Sequence, residues 1–227
     1  GALKVAGTVN VVSGTVACGT NLTLISAAAY SGRIGTLAAG ASITGTITVN
    51  RYSAVGTTGW TFWGIPMQSA LTFQDWNDDF SITCSTCPNG YLGNFTSIYS
   101  YNETLPGVWD ASGSYVPITT ISTSIASGKG YWVYFGNGQT NTSAITVDVT
   151  GTVRSGNFSI PLSYTNNGNQ ENDGWNLISN PYPSPIKWSL LKGATSNIDN
   201  AIYVYNPDLN GGTGSYASYV NGVSSPV

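Results

Sequence analysis

The sequence predicts an all-β protein made of β-sandwich-like domains, with at most two short helices. Short segments rich in Val, Ile and Thr recur along the chain, and Gly and small polar residues separate them. Charged residues make up only 7% of the 227 residues and hydrophobic residues 41%, so a packed core is expected beneath a neutral coat of Ser, Thr, Asn and Gly. One unusual phrase occurs twice, which indicates that part of the fold is duplicated.

Residues 1–50 form the first predicted region, a β-rich N-terminal segment. Its stretches "LKVAGTVNVVSGTVA" and "ASITGTITVNRY" carry turn residues every 6 to 10 positions, and the region has no helical period. This spacing is typical of a β-sandwich. It also fits the last rungs of a parallel β-solenoid that lead into a sandwich. The sequence favours the sandwich and leaves the solenoid open.

Residues 51–143 form the second predicted region, a β unit with one short helix. "GWTFWGIPM" predicts a buried strand, and "FTSIYSYNE", "GVWDASGSYVPIT" and "GKGYWVYFGNG" predict further strands. "SALTFQDWNDDF" predicts a short helix with Ser69 as its N-cap, because a serine hydroxyl can accept a hydrogen bond from the first helical turn.

Residues 144–227 form the third predicted region. "AITVDVTGTVRSGNFSIPLSY", residues 144–164, predicts a hairpin with its turn near residues 154–157. "IKWSLLKGA" predicts a second short helix, and "AIYVYNPD" predicts a strand that a Gly-rich turn follows.

The duplicated phrase is "GWTFWGIPMQSALTFQ" and "GWNLISNPYPSPIKWS", whose first residues, Gly59 and Gly174, are 115 positions apart. Further matches follow in the same order, with spacings that drift as loop deletions would cause. They are Pro66 with Pro181, Ser69 with Ser184, Ile98-Tyr99 and Tyr101-Asn102 with Ile202-Tyr203 and Tyr205-Asn206, and Gly113-Ser114-Tyr115 with Gly214-Ser215-Tyr216. The third region is therefore expected to be a truncated copy of the second. The native protein is expected to continue past Val227 with a "GxGYWV"-like strand, the counterpart of "GKGYWVYF".

Two groups of segments, "GASITGTITVNRY … GWTFWGIP" and "GWNLISNPYPSPIKW … IYVYNP … GSYASYVNG", resemble regions of large secreted surface proteins of the Bacteroidota. The resemblance covers roughly residues 20–227, and "GWNLISNPYPSPIKW" is its most specific part. Such proteins typically carry a C-terminal sorting domain for the type IX secretion route, which this sequence lacks, and many are described as adhesin-like. The resemblance implies export, surface exposure and a role in adhesion, matrix or filament assembly. It supplies no catalytic residues.

The chain has three cysteines, Cys18, Cys84 and Cys87. Cys84 and Cys87 form a CxxC that runs into the turn residues Pro-Asn-Gly, so the favoured interpretation is a disulfide that pins a surface loop. Free thiols, and redox or metal chemistry, are the alternatives. Cys18 is expected to be a buried free thiol, and a loop disulfide would fit an extracellular location.

The acids are the remaining candidates for chemistry, because the chain has no histidine. A glycosidase-like carboxylate pair would come from five of them, although solvated loop acids are the favoured interpretation: Asp75, Asp78, Asp79, Glu103 and Asp110. Structural calcium is the one cofactor considered, and ordinary turns are favoured over it. Its two candidate sites are Asp75, Asp78 and Asp79, and Asn206, Asp208 and Asn210.

Aromatic residues are abundant, with seven Trp and 14 Tyr, and exposed rings can stack on sugars. The candidates for ligand binding lie in turn-rich segments and are Trp109, Tyr115, Tyr216 and Tyr219. The tryptophans in strand patterns are expected in the core instead and are Trp60, Trp63, Trp132 and Trp175.

The sequence therefore predicts a non-enzymatic extracellular protein, either a segment of a large surface adhesin or a subunit of a surface filament. The alternative is a carbohydrate-binding module of a secreted polysaccharide-active protein. The expected partners are other copies of the chain, neighbouring domains of a longer chain, or surface glycans. The net charge is −3 and the bases are scattered, which argues against nucleic acid. No apolar run reaches the ~18 residues of a membrane span.

Overall fold

The computed structural model of the chain describes residues 1–68, 70–90, 94–105, 113–135, 144–168 and 172–225. The described residues are arranged mainly in β-sheets, and their one α-helix has six residues. The predicted all-β class is thus confirmed. Within the described ranges, no helix is both long enough and apolar enough to cross a membrane.

The N-terminal strands stack in parallel, one turn of chain above the next. β1 pairs with β4 and β4 with β9, while β2 pairs with β7 and β3 with β8, all in parallel. Strands β5 and β6 form a small antiparallel pair between the rungs. The strands are β1 (Leu3–Val5), β2 (Thr8–Val11), β3 (Thr15–Ala17), β4 (Leu22–Leu24), β5 (Ser26–Ala27), β6 (Tyr30–Ser31), β7 (Arg33–Leu37), β8 (Ser42–Thr44) and β9 (Thr46–Ser53).

This pairing corresponds to the solenoid rungs that the sequence left as the second alternative for residues 3–50. Leu22 lies beside Ile47 and Leu24 beside Val49, and all four side chains are buried. Equivalent apolar residues on successive rungs therefore stack into one continuous core. Alternation of apolar and polar residues is the same in parallel and antiparallel sheets, so the sequence pattern could not distinguish the two arrangements.

Strand β16 (Ile145–Thr152) completes the solenoid sheet, in the order β1-β4-β9-β16. It pairs antiparallel with β9 over eight residues. The predicted hairpin over residues 144–164 is wrong, because β16 takes β9 as its partner and residues 153–164 form no strand. Beyond β16, the guanidinium of Arg154 lies 3.7 Å from the ring centre of Phe158.

The central part of the chain forms a four-stranded antiparallel sheet in the order β10-β15-β12-β13. Its strands are β10 (Trp60–Trp63), β12 (Ile98–Tyr101), β13 (Tyr115–Pro117) and β15 (Tyr131–Tyr134), and β11 (Leu71–Thr72) pairs with β14 (Ser124–Ile125) beside it. One face of the sheet packs on Phe73 and Trp76, which are fully buried. We call residues 59–135 the first unit.

The first predicted helix is only a 3-10 turn, Phe73–Asp75. The proposed N-cap, Ser69, lies outside the described residues. The turn is capped from Thr72, whose backbone N–H donates to the Asp75 carboxylate at 2.8 Å. Phe73 and Trp76 then point into the core, so packing and not helix propensity fixes this segment.

The C-terminal part of the chain forms a three-stranded antiparallel sheet in the order β17-β18-β19. It contains the predicted second helix, α1 (Trp188–Gly193), then β17 (Ala201–Asn206), a 3-10 turn at Asn210–Gly212, β18 (Ser215–Val220) and β19 (Val223–Ser224). The predicted helix and strand are confirmed. We call residues 174–225 the second unit.

The two units share local structure at equivalent positions. The helical turns begin at Phe73 and Trp188, which have the same 115-residue spacing as the duplicated phrase. Tyr101 lies opposite Tyr115 in the first unit, and Tyr205 lies opposite Tyr216 in the second. The strand register is therefore the same in both copies, although the intervening loops differ in length.

Candidate functional site

The outer face of the first unit's sheet is covered with aromatic rings. Trp60 and Trp132 stack in parallel with ring centroids 5.3 Å apart, and Phe62 meets Trp132 edge-on at 4.8 Å. Tyr101 and Tyr115 meet edge-on at 5.2 Å. We call this surface the aromatic face; its members alternate with core residues along each strand and are Trp60, Phe62, Tyr99, Tyr101, Tyr115, Trp132 and Tyr134.

The second unit packs its own tyrosines against the aromatic face. The ring of Tyr205 lies edge-on to Trp132 at 4.7 Å and 5.8 Å from Phe62, and Tyr216 lies 5.9 Å from Phe62. At the end of this contact the hydroxyl of Thr57 donates to the carbonyl of Gly212 at 2.7 Å. The interface therefore combines edge-on ring contacts with a backbone anchor.

Two contacts join residues that are each other's counterparts in the repeat. Tyr115 and Tyr216 share a hydrogen bond between their hydroxyls. Gly64 approaches Ser179 so closely that a Cβ on Gly64 would lie 2.3 Å from that of Ser179. Contacts between equivalent positions are those expected near a two-fold axis, so the two units face each other in an approximately two-fold manner.

The four predicted ligand-binding aromatics do not form one surface. Trp109 lies outside the described residues, whereas Tyr115 and Tyr216 meet between the two units. Burial there, together with the neighbouring phenols, raises the pKa of Tyr115 above its usual range. Tyr219 is on the opposite face of β18, across from Ile202, at a position whose first-unit counterpart is the core residue Ile118.

Trp175 is not a core residue, contrary to the sequence prediction. Its side chain is 44% exposed and its ring lies edge-on to Tyr203, itself 41% exposed, at 5.2 Å. Its counterpart Trp60 is half-buried because β15 provides Trp132 to stack against it. The second unit has no such strand among its described residues, so Trp175 and Tyr203 form an exposed aromatic pair that the sequence pattern did not single out.

The repeated phrase holds the second unit to the first along the backbone. We call residues 174–184 the junction segment. Its Leu177 carbonyl accepts a hydrogen bond from Gly130 N–H at 3.0 Å, and Ser179 N–H donates to the carbonyl of Gly128 at 2.8 Å. Between them Ile178 forms an isolated antiparallel bridge with Lys129. This part of the segment therefore runs antiparallel alongside the residues that lead into β15.

The end of the junction segment also binds the solenoid. Ile34 N–H donates to the carbonyl of Pro183 at 2.9 Å, and the hydroxyl of Ser184 donates to the carbonyl of Ile34. Pro181 and Pro183 are buried. Proline supplies a carbonyl but no N–H, so burying prolines leaves fewer backbone N–H donors without a partner where the junction segment meets the solenoid.

Glu103 is a buried acid, not the solvated loop acid that the sequence favoured. Its side chain is 6% exposed. Its carboxylate accepts hydrogen bonds from the backbone N–H and hydroxyl of Thr165 and from Gly174 N–H, the last at 3.2 Å. Burial alone would raise the pKa of Glu103, but the hydrogen bonds from Thr165, Gly174 and Ser163 hold it below its ordinary value. The group is thus an ionised acceptor that anchors the start of the second unit.

Two of the other candidate acids, Asp75 and Asp79, each accept hydrogen bonds from a different part of the chain. Asp75 caps the 3-10 turn, and the Asp79 carboxylate accepts a hydrogen bond from Asp148 N–H at 2.7 Å. Burial raises the pKa of Asp79 and of Asp148, and nearby Asp78 adds to both shifts. Asp110 lies outside the described residues.

Within the part of the chain that the structure describes, no group of three His, Cys, Asp or Glu side chains is placed to hold a metal ion. At the second candidate calcium loop, the side-chain Oδ1 of Asn206 accepts a hydrogen bond from Asp208 N–H at 3.0 Å, and the side-chain Nδ2 of Asn210 donates to the Thr213 hydroxyl at 2.9 Å. These amides therefore build the turn. A structural calcium ion stays a prediction.

Cys84 and Cys87 are joined by a disulfide, with their Cα atoms 4.9 Å apart. Both cysteines are buried against the core cluster, at 0% and 8% exposure, while the residues between and after them, 85–86 and 88–90, are exposed, so the bond ties an exposed loop to the core. Cys18 is a buried free thiol, and burial raises its pKa. A thiol with a raised pKa is a poor nucleophile, which makes Cys18 a packing residue.

These features define an all-β protein in which solenoid rungs are followed by two aromatic-rich units bound face to face. The chain belongs to the family described as a domain of unknown function, DUF8693, which matches residues 2–225. No curated protein matches the chain, and no solved structure does.

Proposed function

We propose that this chain is a non-enzymatic extracellular structural or adhesive protein, a segment of a large surface adhesin or a subunit of a surface filament. The observation that carries the proposal is the junction segment. It hydrogen-bonds through its backbone to the first unit at Gly130 and to the solenoid at Ile34. Successive parts of the chain are therefore held in fixed relative positions, as a load-bearing rod requires.

The surface composition supports the same proposal. The chain has only seven basic and ten acidic residues among 227. Desolvating a charge is expensive, so neutral Ser, Thr, Asn and Gly surfaces can pack side by side at low cost. The Cys84–Cys87 disulfide is consistent with an oxidising, extracellular compartment.

The experiment is to determine the size and shape of native secreted material by light scattering and electron microscopy before fractionation. Long assemblies with a regular repeat, or a long polypeptide carrying this domain, are the expected result. A short, monodisperse monomer without assemblies would contradict the proposal.

A carbohydrate-binding module is the second candidate, and the exposed Trp175–Tyr203 pair favours it. Two exposed rings at an angle offer apolar faces to the CH groups of a sugar. Titration with soluble glycans would then shift the Trp fluorescence, and Trp175→Ala would abolish the shift. Tyr30→Ala, at a comparably exposed ring on the solenoid, is the matched control and should leave the shift unchanged. An unchanged spectrum across a broad glycan panel would eliminate this candidate.

A further inference from the structure

Among the described residues, the second unit has an unpaired sheet edge whose counterpart in the first unit is paired. In the first unit β12 is paired on both sides, with β13 and with β15. The equivalent strand β17 is paired with β18 alone among the described residues. Ile98, Tyr99 and Ser100 are the residues that pair with β15, and their counterparts are residues 202–204. An unpaired edge of this kind is a template for another strand.

The inner face of the second unit is also uncovered where that of the first is buried. Leu71 is 6% exposed, while its counterpart Ile186 is 47% exposed. Ile98 is fully buried, whereas Ile202 is only half-buried, and Val204 beside it is 55% exposed. The same difference holds for Phe73 and Trp76, which are fully buried, against Trp188 and Leu191, which are half-buried. These apolar residues occupy core positions of the repeat without the cover that the core requires.

We propose that the edge of β17 at residues 202–204 receives an antiparallel strand of the β15 type, the "GxGYWV"-like strand that the repeat predicts. This strand would continue the β17-β18-β19 sheet through main-chain hydrogen bonds. It would also cover the apolar inner face of the second unit.

The contacts of β15 in the first unit specify this occupant. Tyr131 lies edge-on to Phe73 at 5.1 Å and to Trp76 at 6.2 Å, so the strand's inward residues close the core. Trp132 points the other way and stacks on Trp60. An incoming Tyr-Trp-Val places an inward ring over α1 and an outward ring against the Trp175–Tyr203 pair.

Charge and symmetry favour the same occupant. Residues 201–206 have no ionisable group apart from tyrosines, so a neutral aromatic strand fits without burying an unpaired charge. Trp132 of β15 contacts Tyr205 of the facing unit at 4.7 Å. By the approximate two-fold relation, the tryptophan of the incoming strand would face Tyr101, the counterpart of Tyr205.

The test uses an immobilised peptide with the sequence of residues 127–135, Ser-Gly-Lys-Gly-Tyr-Trp-Val-Tyr-Phe, over which the full chain is passed. Saturable binding is expected, with protection of the backbone amides of residues 202–204 from hydrogen exchange. Val204→Asp should weaken binding by about tenfold or more, because the incoming strand would bury the new charge. Val223→Asp, at the far edge of the same sheet and 71% exposed, is the matched control and should bind like the wild type.

A peptide N-methylated at the tryptophan and the following valine provides a control that does not depend on how a protein variant folds. It keeps the side chains but loses main-chain donors, so it should bind much more weakly. Equal binding of a scrambled or the N-methylated peptide, or no saturable binding, would overturn the proposal. Concentration-dependent protection of residues 202–204 without peptide would assign the edge to a second copy instead. The proposal is independent of the adhesive function, since filament formation and peptide binding are measured separately.

Discussion

Gly174 N–H donates a hydrogen bond to the carboxylate of Glu103, which joins the first residue of the second unit to a loop 71 residues earlier. The same carboxylate accepts two further hydrogen bonds from Thr165. One buried acid thus fixes both the approach to the junction segment and its start. The Glu103 side chain is therefore one of the anchors of the second unit, beside the backbone hydrogen bonds of the junction segment.

Replacing Glu103 with glutamine should loosen the start of the junction segment. The amide keeps one acceptor oxygen but loses the charge, and hydrogen bonds to a charged acceptor are about twice as strong as neutral ones. We expect a lower unfolding temperature and faster hydrogen exchange at Gly174. Asp208→Asn, at an exposed turn, is the control and should change neither. Unaltered exchange at Gly174 in Glu103→Gln would show that the carboxylate does not anchor the segment.

The stability of the wild-type chain should fall in acid through the same group. The pKa of Glu103 is lower in the folded protein than its ordinary value of 4.5, so the folded state binds the proton less readily than the unfolded state. The stabilisation is therefore fully present above the ordinary pKa and is lost as the pH falls through the lower folded pKa. Unfolding measured from pH 7 down to pH 3 should show a decline that is shallower in Glu103→Gln. Identical profiles for the two proteins would contradict this.

Asp148→Asn should have the opposite effect and stabilise the fold at neutral pH. The pKa of Asp148 is raised above its ordinary value of 3.8 by burial and by Asp78, so ionisation is harder in the folded state. The resulting cost is absent below the ordinary pKa and grows as the pH rises through the folded pKa. The gain at pH 7 should be about 0.5 kcal/mol or less, since water screens this half-exposed group.

Denaturant unfolding at two pH values checks the Asp148 prediction. The difference between variant and wild type should be present at pH 7 and vanish near pH 3. Asp199→Asn is the control, because Asp199 is an exposed acid elsewhere. A destabilised Asp148→Asn variant at pH 7 would mean that the charge itself is used in the folded state.

Removing the disulfide should cost moderate stability without loss of the fold. A Cys84→Ala, Cys87→Ala double variant opens a very short loop, for which chain entropy predicts a loss of about 2 kcal/mol. Thermal unfolding of the double variant, with the reduced wild type alongside, measures the loss. Cys18→Ala is the control for the loss of a buried thiol. No difference between oxidised and reduced wild type would show that the bond adds nothing to stability.

Local sequence signals predicted the elements whose partners are close or whose pattern is strong. The segment "GKGYWVYFGNG" predicts a strand, and β15 lies within it; the short helix at Trp188 also lies where "IKWSLLKGA" predicts it. The pairing of Leu22 with Ile47 and of β16 with β9 was not predictable, because each depends on residues far apart in the sequence. Strand periodicity shows which residues share a face, not which strand lies beside them.

The candidate site shows the same limit. Tyr115 and Tyr216 were chosen for their turn-rich surroundings, but the two-fold relation between the units is what brings them together. Glu103 has no local signal of burial, since its partners are 62 and 71 residues further along the chain. Trp175 has the strand pattern of Trp60 but no neighbouring strand among the described residues to bury it.

Removing Trp132 and removing Trp175 should lower the stability of the protein by very different amounts. Trp132 is 7% exposed and contacts Trp60, Phe62 and Tyr205, so Trp132→Ala should cost about 3–5 kcal/mol through lost burial and the cavity left behind. Trp175 is 44% exposed, and Trp175→Ala should cost only about 0.5–1.5 kcal/mol, the worth of one aromatic pair. Denaturant unfolding followed by circular dichroism measures both.

The relative size of the two losses in unfolding free energy, for Trp132→Ala and for Trp175→Ala, tests the arrangement of the units. Trp132 fills the space between the first sheet and Tyr205, so its removal should also speed hydrogen exchange across β17 and β18. The stability loss for Trp60→Ala should be intermediate, because Trp60 is half-buried and its ring contacts Tyr99 and Tyr134. A loss for Trp175→Ala as large as that for Trp132→Ala would mean that Trp175 is buried in solution. The second unit would then already have a covering strand, and the edge of β17 would be occupied.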